Sequence, residues 1–113
     1  MQIEEQRRGN ILVVKPLDKR IDASSATDFK GRMLDWIQAG NARILLNLSE
    51  VDFIDSSGLG AIVSSLKAIG EDGDLVICGV RETVMSLFRL TRMNRVFQIF
   101  ASEQEALQEM ATR

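Results

Sequence analysis

The sequence predicts a single α/β domain: a mixed β-sheet, with an N-terminal hairpin and a parallel portion, packed with about four α-helices. Three observations support this. The 113 residues suffice for one hydrophobic core. Hydrophobic residues make up 45% and charged residues 27%, as in ordinary globular proteins. Two extended segments come first, and helical and extended patterns then alternate, as in sheets with helical crossovers. We therefore expect one domain over residues 1–113.

The first two elements are predicted to form an antiparallel hairpin. Residues 3–7 and 11–17 have extended patterns, and the turn-forming sequence Arg8-Gly9-Asn10 separates them. Pro16 indicates that the second strand either ends there or lies at an edge of the sheet.

A first amphipathic helix follows the hairpin and ends near Gly40. Capping side chains in the segment 21–25 precede it. Its apolar face consists of Ala26, Phe29, Met33, Trp36 and Ile37.

A nearly continuous apolar strand is predicted at residues 44–48, as in the centre of a sheet that is covered on both faces. A helix with its apolar side along Leu59, Ile62, Val63, Leu66 and Ile69 follows and ends at Gly70. We expect Ser64, Ser65 and Lys67 on its wetter face.

The last third repeats the alternation. A buried strand at 75–78, a helix at 81–90 and a strand at 96–100 are predicted. Ser102 and Glu105 have capping-box spacing before a final helix with Ala106, Leu107 and Met110 on its apolar side.

Composition argues against several classes of function. The chain has no histidine, which removes the usual general base and the commonest transition-metal ligand, so a Ser-His-Asp or Cys-His site is impossible. We expect no enzyme, no metal and no cofactor; a serine activated by Lys67 or an acidic residue is the distant alternative. The net charge of -2 shows no basic excess for nucleic acid. Without an apolar leader or spanning segment, we expect a cytoplasmic protein without membrane contact. Cys78, the only cysteine, is expected to be buried and inert.

The sequence Asp55-Ser56-Ser57-Gly58-Leu59-Gly60 joins a strand pattern to a helix pattern. Both serines should lie at a helix N-terminus, where free amides and the helix dipole favour a phosphate, and both glycines should leave the backbone open. An added phosphate beside Asp52 and Asp55 would repel a partner packed over the turn. Helix capping by Ser56 or Ser57 is an equally good interpretation from the residues alone. A dinucleotide fingerprint is excluded because Val63 replaces its third glycine.

The segment from Phe53 to Gly60 resembles the signature of STAS domains, particularly of bacterial anti-sigma factor antagonists. The resemblance extends over nearly the whole chain and includes the Ile21-Asp22 pair. It implies that Ser56 is the phosphorylated residue, which leaves Ser57 as the helix cap. For Asp22, capping of the first helix is expected, with kinase contact as the alternative.

The resemblance also implies a partner-switching cycle in transcription regulation, such as a stress response. The unphosphorylated form would bind an anti-sigma factor that is a GHKL-type serine kinase, and a serine phosphatase would reset the phosphorylated form. The expected partner surface comprises Asp22, Asp55, Ser56, Ser57, Gly58, Leu59, Gly60, Ala61 and Ser64. We expect a monomer or weak dimer. The alternative is a STAS scaffold subunit of a lipid-transport ABC complex that works without phosphorylation.

Overall fold

The computed structural model describes residues 1–113, which form seven strands, four α-helices and one 3-10 helix. The strands are β1 (Ile3–Arg8), β2 (Ile11–Pro16), β3 (Arg20–Ile21), β4 (Arg43–Asn47), β5 (Phe53–Ile54), β6 (Asp74–Cys78) and β7 (Ile99–Phe100). The helices are α1 (Ala26–Gln38), α2 (Ser56–Ile69), α3 (Glu82–Leu90) and α4 (Glu103–Ala111), and the 3-10 helix is Met93–Arg95. The α/β class and the four helices are confirmed. None of the helices has the length and apolar character needed to cross a membrane.

The main sheet has five strands in the order β1-β2-β4-β6-β7. β1 pairs with β2 antiparallel, which confirms the hairpin, and all other pairs in this sheet are parallel. Because β2 lies between β1 and β4, Pro16 marks the end of a strand and not an edge of the sheet.

Two hydrophobic layers cover the sheet, because alternate strand residues point to opposite faces. Ile44 and Leu46 of β4 join a core of 19 buried residues that also receives α1, α2 and α3. Leu45 joins a smaller cluster of seven, which α4 covers with Ala106 and Met110. Cys78 belongs to this second layer, and burial raises the pKa of its thiol to about 12.

Three details differ from the expectations. The strand predicted at 96–100 is shorter, since the 3-10 helix and an exposed Val96 precede β7. Ser65 is fully buried, because its hydroxyl donates to the Ala61 carbonyl at 2.9 Å and needs no water. The strands β3 and β5, which form a separate parallel pair, were not expected.

Candidate functional site

The site lies where β5 leads into α2 and β3 runs beside it. In this pair Arg20 is opposite Phe53, and Ile21 is opposite Ile54. The next residues along the two strands are Asp22 and Asp55. The short pair therefore brings the Ile21-Asp22 segment and the serine turn together, although they are more than thirty residues apart in the chain.

Asp55 is the N-cap of α2, so the prediction that Ser57 caps this helix was wrong. Its Oδ1 accepts the Gly58 amide at 3.0 Å, and its Oδ2 accepts the Ala23 amide at 3.2 Å. Asp55 has the extended backbone of an N-cap, with φ -98° and ψ -173°, whereas Ser57 is already helical. One carboxylate thus caps α2 and also holds the turn after β3 against it.

Ser56 and Ser57 are the first two residues of α2, and both are exposed. Their hydroxyls form no hydrogen bond within the chain. The first backbone amides of a helix have no hydrogen-bond acceptor within the helix. Of those in α2, the Asp55 side chain accepts only the amide of Gly58. The amides of Ser56 and Ser57 remain for an external acceptor, and both hydroxyls are open to modification.

The two glycines of the turn have different roles, contrary to the expectation that both leave the backbone open. Gly58 is buried, and a Cβ there would lie 2.2 Å from the Ile21 carbonyl oxygen and 2.9 Å from Cγ2 of Ile54. A Cβ at Gly60 would meet nothing within 4 Å. Only Gly58 is required for the close approach of α2 to β3.

Asp22 caps the turn before α1 and not α1 itself, which corrects the expectation. Its Oδ1 accepts the amide of Ser24 at 3.0 Å and the Ser24 hydroxyl at 2.7 Å, and its Oδ2 accepts Nε of Arg20 at 3.2 Å. The bonds from Ser24, and then that from Arg20, lower the pKa of Asp22. Ser25, the residue before α1, makes no side-chain cap bond to the helix.

A groove of about 300 Å³ runs between α1 and α2 next to the serine turn. Its lining comprises Ala26, Thr27, Lys30, Ser57, Gly60, Ala61 and Ser64. Three of the residues expected on the partner surface, Gly58, Leu59 and Ala61, are buried. Of these, Ala61 still lines the groove, whereas the Leu59 side chain belongs to the main core.

Two cations lie beside Asp52, three residues before Asp55, and these ion pairs were not predicted from the sequence. Oδ1 of Asp52 lies 3.1 Å from Nη1 of Arg81, and its Oδ2 lies 3.9 Å from Nζ of Lys19. The Arg20 guanidinium carbon lies 4.2 Å from the ring centroid of Phe53, whose side chain is exposed. The adjacent Lys19-Arg20 pair was the available sequence signal. No group of three or more Cys, Asp and Glu side chains is arranged to hold a metal ion.

The mixed sheet and the serine-bearing strand-to-helix turn define an α/β domain of the kind found in solved STAS-domain structures. The sequence matches the STAS domain family over residues 2–106, and the chain belongs to that family. It is similar to the anti-sigma F factor antagonist of Paenibacillus polymyxa, with 30% identity over 112 residues that cover 97% of this chain and 95% of that protein.

One further sequence relative and one solved structure are also similar to this chain. The anti-sigma-B factor antagonist of Staphylococcus aureus is 36% identical over 80 residues, which cover 70% of this chain and 74% of that protein. The solved structure of an anti-sigma-factor antagonist (STAS) domain protein from Planctomyces limnophilus superimposes with a TM-score of 0.88 at 25% identity, covering 96% and 97% of the two chains. The resemblance to this family is therefore confirmed.

Substitutions at Asp55 distinguish the contributions of its hydrogen bonds to the Gly58 and Ala23 amides. Asp55→Ala removes both and is expected to lower the free energy of unfolding by about 2 kcal/mol, the upper part of the range for lost N-caps. Asp55→Asn keeps an oxygen for Gly58 but places an amide nitrogen towards Ala23, so we expect a loss of about 1 kcal/mol. Urea denaturation measures both.

Ser57→Ala is the matched control for the cap assignment. Because the Ser57 hydroxyl makes no hydrogen bond, its removal is expected to change stability by less than about 0.5 kcal/mol. A loss at Ser57→Ala as large as that at Asp55→Ala would contradict capping by Asp55.

Proposed function

We propose that this chain is an anti-sigma factor antagonist controlled by phosphorylation of Ser56. Its unphosphorylated form binds an anti-sigma factor that is also a GHKL-type serine kinase, and phosphorylation abolishes this binding. The observation that carries the proposal is the exposed Ser56 hydroxyl at the start of α2, which takes no part in capping because Asp55 performs that role. The names of the relatives support the class of function.

Ser56 is favoured over Ser57 by its surroundings. Ser57 lines the groove between α1 and α2, whereas Ser56 does not. A partner that fills the groove would cover Ser57 and leave Ser56 at its margin, within reach of the partner's nucleotide site. The resemblance to STAS domains also supports the serine directly after the aspartate as the phosphate acceptor.

The proposed partner surface consists of the turn, Asp22 and the groove. Ser57, Gly60 and Ser64 line the groove and would touch the partner directly. Gly58 and Leu59 are buried and contribute by fixing the start of α2. The whole chain, residues 1–113, acts as one STAS domain, and a serine phosphatase resets the phosphorylated form. In this proposed cycle the kinase binds ATP and this chain is the phosphate acceptor and not an enzyme. The cycle is proposed to take place in the cytoplasm.

Phosphosite mapping tests the proposal directly. The chain is incubated with ATP and the GHKL-type kinase encoded nearest to its gene, and the products are mapped by mass spectrometry. We expect phosphate on Ser56 in the wild type and in Ser57→Ala, because the Ser56 hydroxyl is free in both, and none in Ser56→Ala. Phosphate on Ser57 alone would exclude the assignment to Ser56.

The same phosphosite mapping, together with a pull-down from cells, discriminates the scaffold function. A scaffold subunit would remain unphosphorylated and would be recovered with an ATPase and a permease. These two results together would contradict the phosphorylation switch and support a subunit that binds its partners constitutively.

A further inference from the structure

A second surface lies at the C-terminal end of α3, away from the groove. We call it the α3-end surface and define it by Leu90, Arg92, Arg95 and Val96. Leu90 is 83% exposed and Val96 is 53% exposed, and together with Phe53 they are the exposed large hydrophobic residues of the chain. Leu90 is the last residue of α3 and Val96 directly follows the 3-10 helix, so two of these three residues flank the same short segment of the chain.

The charged residues of this surface are all basic. No Asp or Glu occurs from residue 83 to residue 102, whereas Arg89, Arg92 and Arg95 lie within that stretch. Arg89 is paired with Glu82 at 2.6 Å. Arg92 and Arg95 have no ion pair and no side-chain hydrogen bond. The protein is acidic overall, so two free guanidinium groups beside two exposed apolar side chains form a distinct local feature.

Arg92 also has an unfavourable backbone conformation. It has φ 60° and ψ 18°, and it is the one residue other than glycine with a positive φ. It directly follows Thr91, the C-cap of α3, at the position where glycine is the usual residue. The left-handed conformation serves to end α3, but the guanidinium has no partner within the chain, so the fold does not explain why arginine and not glycine stands here.

We propose that the α3-end surface binds an acidic segment of a protein partner that also carries an apolar side chain. Guanidinium groups bind carboxylates through paired hydrogen bonds, and arginine is enriched among the residues that dominate interfaces. Leu90 and Val96 supply the apolar contact. An anionic membrane is disfavoured, because clusters that bind lipid headgroups contain about four to eight basic residues and this surface offers two that are unpaired.

This surface is separate from the serine turn. The first turn of α3 contacts the turn region, since the Thr83 hydroxyl donates to the Asp52 carbonyl at 2.8 Å. The nine residues of α3 then carry the chain about 12 Å further, at 1.5 Å per residue. A segment bound at the far end leaves the groove between α1 and α2 accessible, so the inference does not depend on the proposed function.

Titration of the isotope-labelled full chain with synthetic peptides tests the proposal by NMR. The probe is a short peptide of glutamate and leucine, with a lysine and leucine peptide and a glutamate and serine peptide as controls. We expect shifts of amide signals from residues 89–97 with the first peptide only. Arg92→Gly and Arg95→Gln are each expected to weaken binding by about fivefold or more, as for arginines at interface centres. Arg8→Gln, which removes an unpaired arginine from the opposite edge of the sheet, should bind like the wild type.

Arg92→Gly provides a second, independent measurement. Glycine relieves the left-handed strain, so this variant is expected to melt at a higher temperature while it binds the acidic peptide more weakly. Three results would overturn the proposal. The first is that the lysine and leucine peptide binds as well as the glutamate and leucine peptide, the second is that both variants keep the wild-type affinity for the acidic peptide, and the third is that the shifts are confined to the serine turn. Cosedimentation of the wild type with phosphatidylglycerol vesicles that is lost in the same variants would also overturn it, in favour of a lipid surface.

Discussion

Replacement of Gly58 by alanine is expected to lower the free energy of unfolding by about 3 kcal/mol, near the upper end for overpacked positions. The added Cβ would lie 2.2 Å from the Ile21 carbonyl oxygen, far inside van der Waals contact. That carbonyl belongs to the backbone and cannot move by a change of rotamer. The same oxygen accepts the Asp55 amide at 3.4 Å, so a shift of β3 also disturbs the cap of α2. Urea denaturation with a linear extrapolation measures the change.

Two other helical glycines of the chain serve as controls. A Cβ at Gly60 or at Gly31 would meet nothing within 4 Å, and neither residue has a positive φ. Alanine at these positions is expected to stabilise the protein by about 0.5–1 kcal/mol, because it reduces the freedom of the unfolded chain and favours the helix. If Gly58→Ala were as stable as Gly60→Ala, the close packing of α2 on β3 would be refuted.

The expected loss at Gly58 has a consequence for the site. The Ile21-Asp22 segment and the start of α2 are joined by the β3–β5 pair and by the bond from the Ala23 amide to Asp55. A residue that forces α2 away from β3 strains both connections. We therefore expect Gly58→Ala to weaken partner binding even at temperatures where the chain remains folded.

Most of the fold could be predicted from the sequence, because its long elements carry periodic signals. The hairpin has a clear turn, and α1 and α2 show apolar residues at helical spacing over three turns or more. β3 and β5 contain two residues each, too few for any periodicity. Their pairing depends on contacts between segments more than thirty residues apart, which a single sequence does not reveal.

The serine turn was located correctly, but its internal roles were not. Asp, Ser and Ser are all good N-cap residues, so the sequence could not say which of three consecutive positions begins α2. The turn also contains two glycines that look alike in the sequence. Only the position of the Ile21 carbonyl distinguishes the one that is packed from the one that is open. Residue identities were enough to locate the turn in the sequence. The capping by Asp55 and the packing of Gly58 became clear only from the folded structure.

The charges around Ser56 differ from those that the sequence predicts, and this difference affects the proposed switch. From the sequence alone, Asp52 and Asp55 are expected to be free negative charges beside a new phosphate. In the structure Asp52 faces Arg81 and Lys19, and Asp55 accepts two backbone amides. The surface around Ser56 is therefore close to balanced before modification, and a phosphate of about -1.5 to -2 charges would set its sign almost alone.

Phosphorylation of Ser56 is accordingly expected to weaken binding of the anti-sigma partner by about 100-fold, equivalent to about 2.7 kcal/mol. The phosphate would accept the free amides at the start of α2, so the fold should be preserved while the contact surface becomes anionic. Ser56→Asp adds about one charge and a shorter side chain, and we expect it to weaken binding by about tenfold. Calorimetry with the purified anti-sigma partner measures these affinities, and circular dichroism checks that the fold is unchanged.

Ser56→Ala and Ser57→Asp complete the test. Ser56→Ala removes a hydroxyl without internal bonds and should bind within about threefold of the wild type, since a small uncharged change at an interface margin costs little. Ser57→Asp places the same charge one residue further, at the groove, where direct contact with the partner should make the loss at least as large as that of Ser56→Asp. Equal affinities of the phosphorylated and unphosphorylated chains would show that this turn does not control the partner. A loss accompanied by unfolding would instead mean that the phosphate acts on the stability of α2 and not on the contact surface.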